Sequence, residues 1–157
     1  MNKKIISVLL SVGLTACSQS TVFVGPDGRP TRCASWGTGL AGASMANAIQ
    51  ANCEKDMRSV GKLPLNEAGA VGISPSSEGN GLTILKVASG SPADQAGIKA
   101  GDVIVAVNGQ KVANAKDARS LLFGRVGEPV DLTVRTGKTE RTVTLFRGSF
   151  AGAQQSH

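Results

Sequence analysis

At 157 residues the chain has room for one ordinary domain and a small appendage, which excludes two full domains. An apolar fraction of 41% with 20 glycines, one Trp and no Tyr describes a turn-rich globular chain packed on aliphatic side chains and excludes disorder throughout. The net charge is +6, or +4 once Lys3 and Lys4 of a leader-like start are set aside; neither a dense Lys/Arg block nor interleaved aromatics is present, which excludes a nucleic-acid platform.

Met1 to Lys4 give a basic start and Ile5 to Ala16 an apolar run of twelve residues, read as a secretory signal over residues 1–16. As a helix such a run spans about 18 Å against the roughly 30 Å of a hydrocarbon core, so a permanent span is the poorer reading. Leu14-Thr15-Ala16-Cys17 resembles the lipobox of bacterial lipoproteins, in which the cysteine is acylated and freed by cleavage. The resemblance implies acyl chains (palmitate or similar) on Cys17 and, with Ser18 in place of Asp, an outer-membrane anchor facing the periplasm. Each buried methylene contributes about 0.8 kcal/mol, so several chains hold a protein at a membrane. The alternative is a plain secretory signal with an incidental cysteine.

Residues 17–66 read as a lipidated N-terminus and a small disulfide-braced helical region. An exported chain with Cys17 acylated leaves Cys33 and Cys53 as the economical disulfide, the alternatives being free thiols or metal ligation. His157 is the single histidine, so a four-ligand zinc site has no evident set of partners. Thr21 to Val24 is β-like and Gly25-Pro26-Asp27-Gly28 a turn. From about Gly39 to Gly61 the pattern is helical, with Met45, Ile49, Cys53, Met57 and Val60 on the face expected to point inward. Gly37-Thr38-Gly39-Leu40-Ala41-Gly42 formally matches a dinucleotide fingerprint, with Asp56 downstream. That fingerprint needs a preceding strand and a βαβ unit, which Arg32 to Trp36 do not suggest, so no cofactor is expected. Small residues between Gly39 and Ala46 permit close helix packing, within the protein, in self-association or against a bilayer.

After a boundary at Lys62 to Asn66 the pattern turns strand-like. Gly81 to Val87 reads as a strand, Ser91 caps a short helix opened by Pro92 and stopped at Gly97, and Val103 to Val107 is a strand before an Asn108-Gly109 hairpin turn. Asn114 caps a second helix carrying Ala118, Leu121 and Leu122, which ends at Gly124. Val130, Leu132 and Val134 alternate with polar residues, and Thr142 to Leu145 returns as the hairpin partner. The series Ser89-Gly90-Ser91-Pro92-Ala93, Ala96-Gly97-Ile98 and Ala100-Gly101-Asp102 through Val107-Asn108-Gly109 resembles the PDZ domains of the HtrA proteases. The resemblance covers about Ala68 to Arg147. It implies an α+β fold over residues 67–148, a partly open β-barrel or sandwich with two helices, followed by a flexible tail over 149–157.

In PDZ domains a peptide C-terminus adds as a strand beside the second helix while a loop's N–H groups hold its carboxylate. The resemblance places that loop at Ala70, Val71, Gly72 and Ile73, and the helix lining at Ala115, Arg119 and Leu122, with Leu122 as core and Arg119 as a solvated side chain the alternatives. Pro75 lacks an N–H and shortens the ladder an added strand can use. With His157 on a Gln/Ser tail, no Ser-His-Asp triad is expected and the chain reads as non-enzymatic. The expected function is a membrane-tethered periplasmic adaptor or sensor for C-terminal or extended segments of envelope proteins. The rival is a structural lipoprotein whose groove is unused or filled by its own chain.

Overall fold

The computed structural model describes residues 16–77 and 82–149, with side chains from Ser18 onward; the signal-like run over 1–15, the Cys17 side chain and His157 lie outside the described residues. Gly28 donates its N–H to the Gly25 carbonyl at 2.9 Å and so reverses the chain where the Pro-Asp-Gly turn was expected. The strands it joins are long: β1 (Ala16–Val24) pairs antiparallel with β2 (Pro30–Thr38), from Ala16 opposite Thr38 to Val24 opposite Pro30. The β-like run expected at Thr21 to Val24 is thus part of a longer strand, and a second strand, β2, precedes the expected helix. The inward positions of β2 are Cys33, Ser35 and Gly37, a set with no apolar alternation to betray a strand.

Helix α1 (Gly39–Ser59) follows and lies on this hairpin. Its end is a Schellman stop: Gly61, at φ +75°, donates to the Arg58 carbonyl and Lys62 to that of Met57. The inward face is only partly the expected one, since Cys53 and Met57 are half-buried but the other three are not. Met45, Ile49 and Val60 are 69%, 53% and 65% exposed, and the buried stripe runs instead through Ala46 and Gln50. Small side chains let the helix come so close that a Cβ on Gly37 would lie 2.0 Å from the Gly42 carbonyl oxygen, and bulky residues are displaced to the flanks. That contact also accounts for the glycines of the formal fingerprint. A strand, β2, does precede these glycines, but its neighbour is antiparallel, so no βαβ unit forms.

Cys53 does reach Cys33, and the two form the disulfide, Cα atoms 5.9 Å apart. Beside it Gln50, 6% exposed, donates to Thr21 Oγ1 at 3.1 Å and Glu54 Oε1 at 2.8 Å, and Thr21 donates to the same carboxylate at 2.7 Å. These bonds from Gln50 and Thr21 hold the Glu54 carboxyl below its ordinary range. The expected boundary is woven into this sheet, since β3 (Leu63–Pro64) pairs with β1 at Val24 and Phe23. Just beyond it, Glu67 takes Arg58 at 2.9 Å and Arg125 at 3.2 Å.

From there the strands are β4 (Ala68–Ala70), β5 (Ile73–Ser76) and β6 (Thr83–Val87), then α2 (Pro92–Gln95), β7 (Val103–Val107) and β8 (Gln110–Lys111). Next come α3 (Ala115–Leu122), β9 (Gly124–Arg125), β10 (Pro129–Thr136), β11 (Thr139–Phe146) and β12 (Gly148–Ser149). The expected caps are in place: Ser91 Oγ accepts from Asp94 N–H, and Asn114 Oδ1 from Asp117 N–H. Asn108 and Gly109, φ 51° and 72°, make the tight turn. The main sheet runs β11-β10-β7-β6-β5 with β8 on β7, and a small sheet runs β12-β4-β9. These sheets are open, in keeping with the partly open fold expected, and do not close into a barrel: β5 and β11 end the main sheet without meeting. The core between sheet and helices is aliphatic, with Ile84, Val107, Leu132 and Val134 wholly buried.

Replacing both Cys33 and Cys53 by alanine should destabilise the hairpin and α1 by roughly 3 kcal/mol, the chain-entropy value for a loop of about 20 residues. Amide hydrogen exchange should quicken over residues 18–60 and stay unchanged in β10 and β11; equal quickening in both would refute a local brace.

Candidate functional site

Where β5 ends the main sheet, α3 runs beside it, and the space between the two is the candidate groove. Its mouth is the loop from Ala70 to Ile73. Ala70 belongs to β4, opposite Gly148, and fixes one end of the loop in the small sheet. The Val71 side chain is 1% exposed and part of the core, so only its backbone is available. The Val71 carbonyl accepts from Ala93 N–H at 3.0 Å and the Gly72 carbonyl from Ala88 N–H at 2.7 Å. The peptide bonds are trans, and in a trans peptide N–H and C=O point oppositely, so the N–H groups of Gly72 and Ile73 face away from α2 and β6. Two adjacent amides whose carbonyl sides are both engaged supply the kind of donors that an anion needs. Gly72 sits at φ +83° with Ser91 Cβ 2.2 Å from where a Cβ would be; no other residue fits.

Beyond the loop the edge of β5 is short. Ile73 registers against Val87, and with Ala88 N–H on Gly72 this is a pair whose own N–H and C=O point away from β6, to the open edge. Pro75 lies opposite Ile84, whose N–H and C=O are taken by Asp102 and Gly101, so the Pro75 carbonyl also faces the open edge and the missing N–H falls there. Arg119 Nη2 donates to that carbonyl at 3.0 Å, and Ser77 Oγ accepts from the Ala115 N–H at 2.7 Å. The ladder open to an added strand is therefore reduced to Ile73.

The sequence-derived residues divide accordingly. Gly72 and Ile73 lie at the mouth of the groove and Arg119 reaches its far side at Pro75; Ala115 joins through its backbone; Leu122, 5% exposed, belongs to the core. Sequence reasoning missed Arg147. It is 7% exposed and donates to the carbonyls of Leu122 (2.9 Å), Leu121 (2.8 Å) and Pro129 (3.1 Å), capping the end of α3; burial pulls its pKa down, against the pull of Glu128. A buried arginine 25 residues from its acceptor carries no periodic signal. Alongside α3, Pro26, Val60 and Lys62 face Lys116, Arg119 and Ser120 across a hollow of about 370 Å³.

A sequence profile of the PDZ domain matches residues 83–136, a span that leaves out the 70–76 segment. Over 75 residues the chain is 43% identical to a probable periplasmic serine endoprotease DegP-like of Rhizobium meliloti, covering 46% of this chain and 15% of that protein. Over 81 residues it is 35% identical to the serine protease Do-like HtrA of Bacillus subtilis, covering 49% of this chain and 18% of that one. The chain thus spans less than a fifth of those relatives' length. Among solved structures, the photosystem II D1 C-terminal processing protease superposes with a TM-score of 0.50 at 31% identity, covering 53% of this chain and 24% of that one. The likeness lies in the PDZ portions of these proteases, which are binding modules, and not in a catalytic domain.

Arg147→Met should leave carbonyl acceptors at the end of α3 unpaired and cost about 2–3 kcal/mol in urea unfolding. Exchange should quicken first at Leu121 to Gly124. A variant as stable as the parent would show that Arg147 does not hold the helix.

Proposed function

We propose that the PDZ domain carried by this chain reads the C-terminal carboxylate and last residue of a protein partner, in a lipoprotein tethered through Cys17 and facing the periplasm. The observation that carries the reading is the pair of outward N–H groups on Gly72 and Ile73 at the mouth of an open sheet edge. A carboxylate there would accept two charge-assisted hydrogen bonds, which are shorter and stronger than neutral ones. The relatives support the setting, one being named as a periplasmic protease. The reading is of a non-enzymatic adaptor, with residues 17–66 as the tethering region and residues 67–148 as the binding module.

A second reading draws on a specific contact. Arg119 and Ser77 bridge the groove beyond Ile73, as they would in a structural lipoprotein whose groove is unused. An NMR titration of residues 18–157 with a pool of C-terminal peptides and their amidated versions separates the two. Saturable shifts at Ala70 to Ile73 that vanish on amidation are expected; no shift with any pool would assign the structural role. Gly72→Val should abolish those shifts while the core signals of β7 and β10 persist.

Arg119→Ala tests how much of the edge is withheld. Freeing the Pro75 carbonyl offers an incoming N–H one more partner, worth about 0.5–1.5 kcal/mol, so peptides of three or more residues should bind roughly two- to tenfold more tightly. Unchanged or weaker binding would show that Arg119 does not compete with ligand.

A further inference from the structure

The bulky residues displaced from the α1–hairpin contact collect at one end of the molecule. Trp36 is 83% exposed, Leu40 93%, Met45 69% and Ile49 53%. Trp36 with Met45 and Ile49 lines a shallow hollow of about 470 Å³ along the free edge of β2, floored by Gly42 and Ala46. Charge is absent from this end. No Asp, Glu, Lys or Arg occurs from Ala16 to Val24 or from Cys33 to Cys53, and the charged residues of α1 begin at Glu54, toward the end where β3 and Glu67 join it to the PDZ fold. Monomeric proteins seldom leave such a surface to water, and here nothing in the described chain covers it.

The register of the hairpin says what does. Cys17 is the direct cross-strand partner of Gly37, and Ser18 that of Trp36, so the backbone of the proposed acylated residue lies about 5 Å from the strand that carries the patch. We infer that the Trp36–Met45–Ile49 surface seats on the phospholipid bilayer into which the Cys17 acyl chains insert. This inference rests on the lipoprotein reading of Cys17 and extends it from a flexible tether to an oriented one. An anchor already in the bilayer raises the local concentration of lipid at the patch, so a modest apolar area suffices to hold it. Trp at the interface and uncharged aliphatic neighbours suit the headgroup boundary, into which such surfaces sink by about 5–10 Å. The patch lies on the surface and does not span: no helix among the described residues is long and apolar enough to cross a membrane.

Trp36 is the only tryptophan of the chain and reports the contact directly. The mature acylated protein, reconstituted in phosphatidylethanolamine–phosphatidylglycerol vesicles, should show blue-shifted Trp36 emission, loss of most of it when the acyl chains are brominated, and protection from aqueous iodide. Met45→Glu with Ile49→Glu should keep the protein on sedimented vesicles but return Trp36 to iodide. Vesicle-bound protein whose Trp36 stays open to iodide and untouched by bromine overturns the seated surface and leaves the anchor standing. If mass spectrometry finds Cys17 bare, the anchoring reading fails, and the brominated vesicles then judge the surface alone, absence of quenching overturning it as well. Concentration-dependent shielding of Trp36 without lipid, in a Cys17→Ser chain, would assign the surface to a second copy instead and overturn the bilayer.

Discussion

The contact on which the groove depends is the close passage of Gly72 over Ser91. With Ser91 Cβ where a Gly72 side chain would begin, the loop from Ala70 to Ile73 is pressed onto the start of α2, and its two carbonyls are spent there and on Ala88. Everything functional follows from that pinning. It turns the amides of Gly72 and Ile73 outward, sets the register of β5 on β6, and leaves β5 as the unpaired edge that faces α3. Ser91 serves twice, as the cap of α2 and as the surface the loop rests on, which ties the placement of the donors to the integrity of a single helical turn.

The fold of residues 67–148 was largely legible because its signals are local. Asn-Gly turns, Ser-Pro and Asn caps and the alternation of Val130, Leu132 and Val134 each determine their own few residues by steric or hydrogen-bonding rules. The hairpin and α1 were less so. β2 hides its strand because its inward positions are a cystine, a serine and a glycine, and α1 misdirects a reader who follows bulk, since its inward face was chosen for smallness and its large residues face out. The lesson from Met45 and Ile49 is that an apolar stripe marks burial against something, and that something need not be the protein's own core.

The groove shows the same division between local and distant causes. Gly72 and Ile73 could be assigned from motif resemblance, and Pro75 as a defect in the edge from its missing N–H. What no local rule supplies is the side chain that completes the edge. Arg119 reaches the Pro75 carbonyl across 44 residues of sequence, and Arg147 fixes the end of α3 from 25 residues away. Both contacts exist because tertiary packing brings a guanidinium to a carbonyl whose strand or helix partner is lacking, and such pairings leave no periodicity behind.

These two arginines also act at different depths. Arg147 is buried and bonds three carbonyls at the end of α3 and the start of β10, so it sets where α3 stands. Arg119 is exposed, its acceptor lies on an open edge, and water or a peptide N–H can replace it at little cost. An exposed guanidinium on a carbonyl at a strand edge is thus a stopper that a ligand can displace, while the Pro75 ring beneath it is permanent. On the proposed reading, the edge would admit a terminal residue readily and a longer strand only against competition. That favours a partner presented as a free chain end over one offered as an internal extended segment.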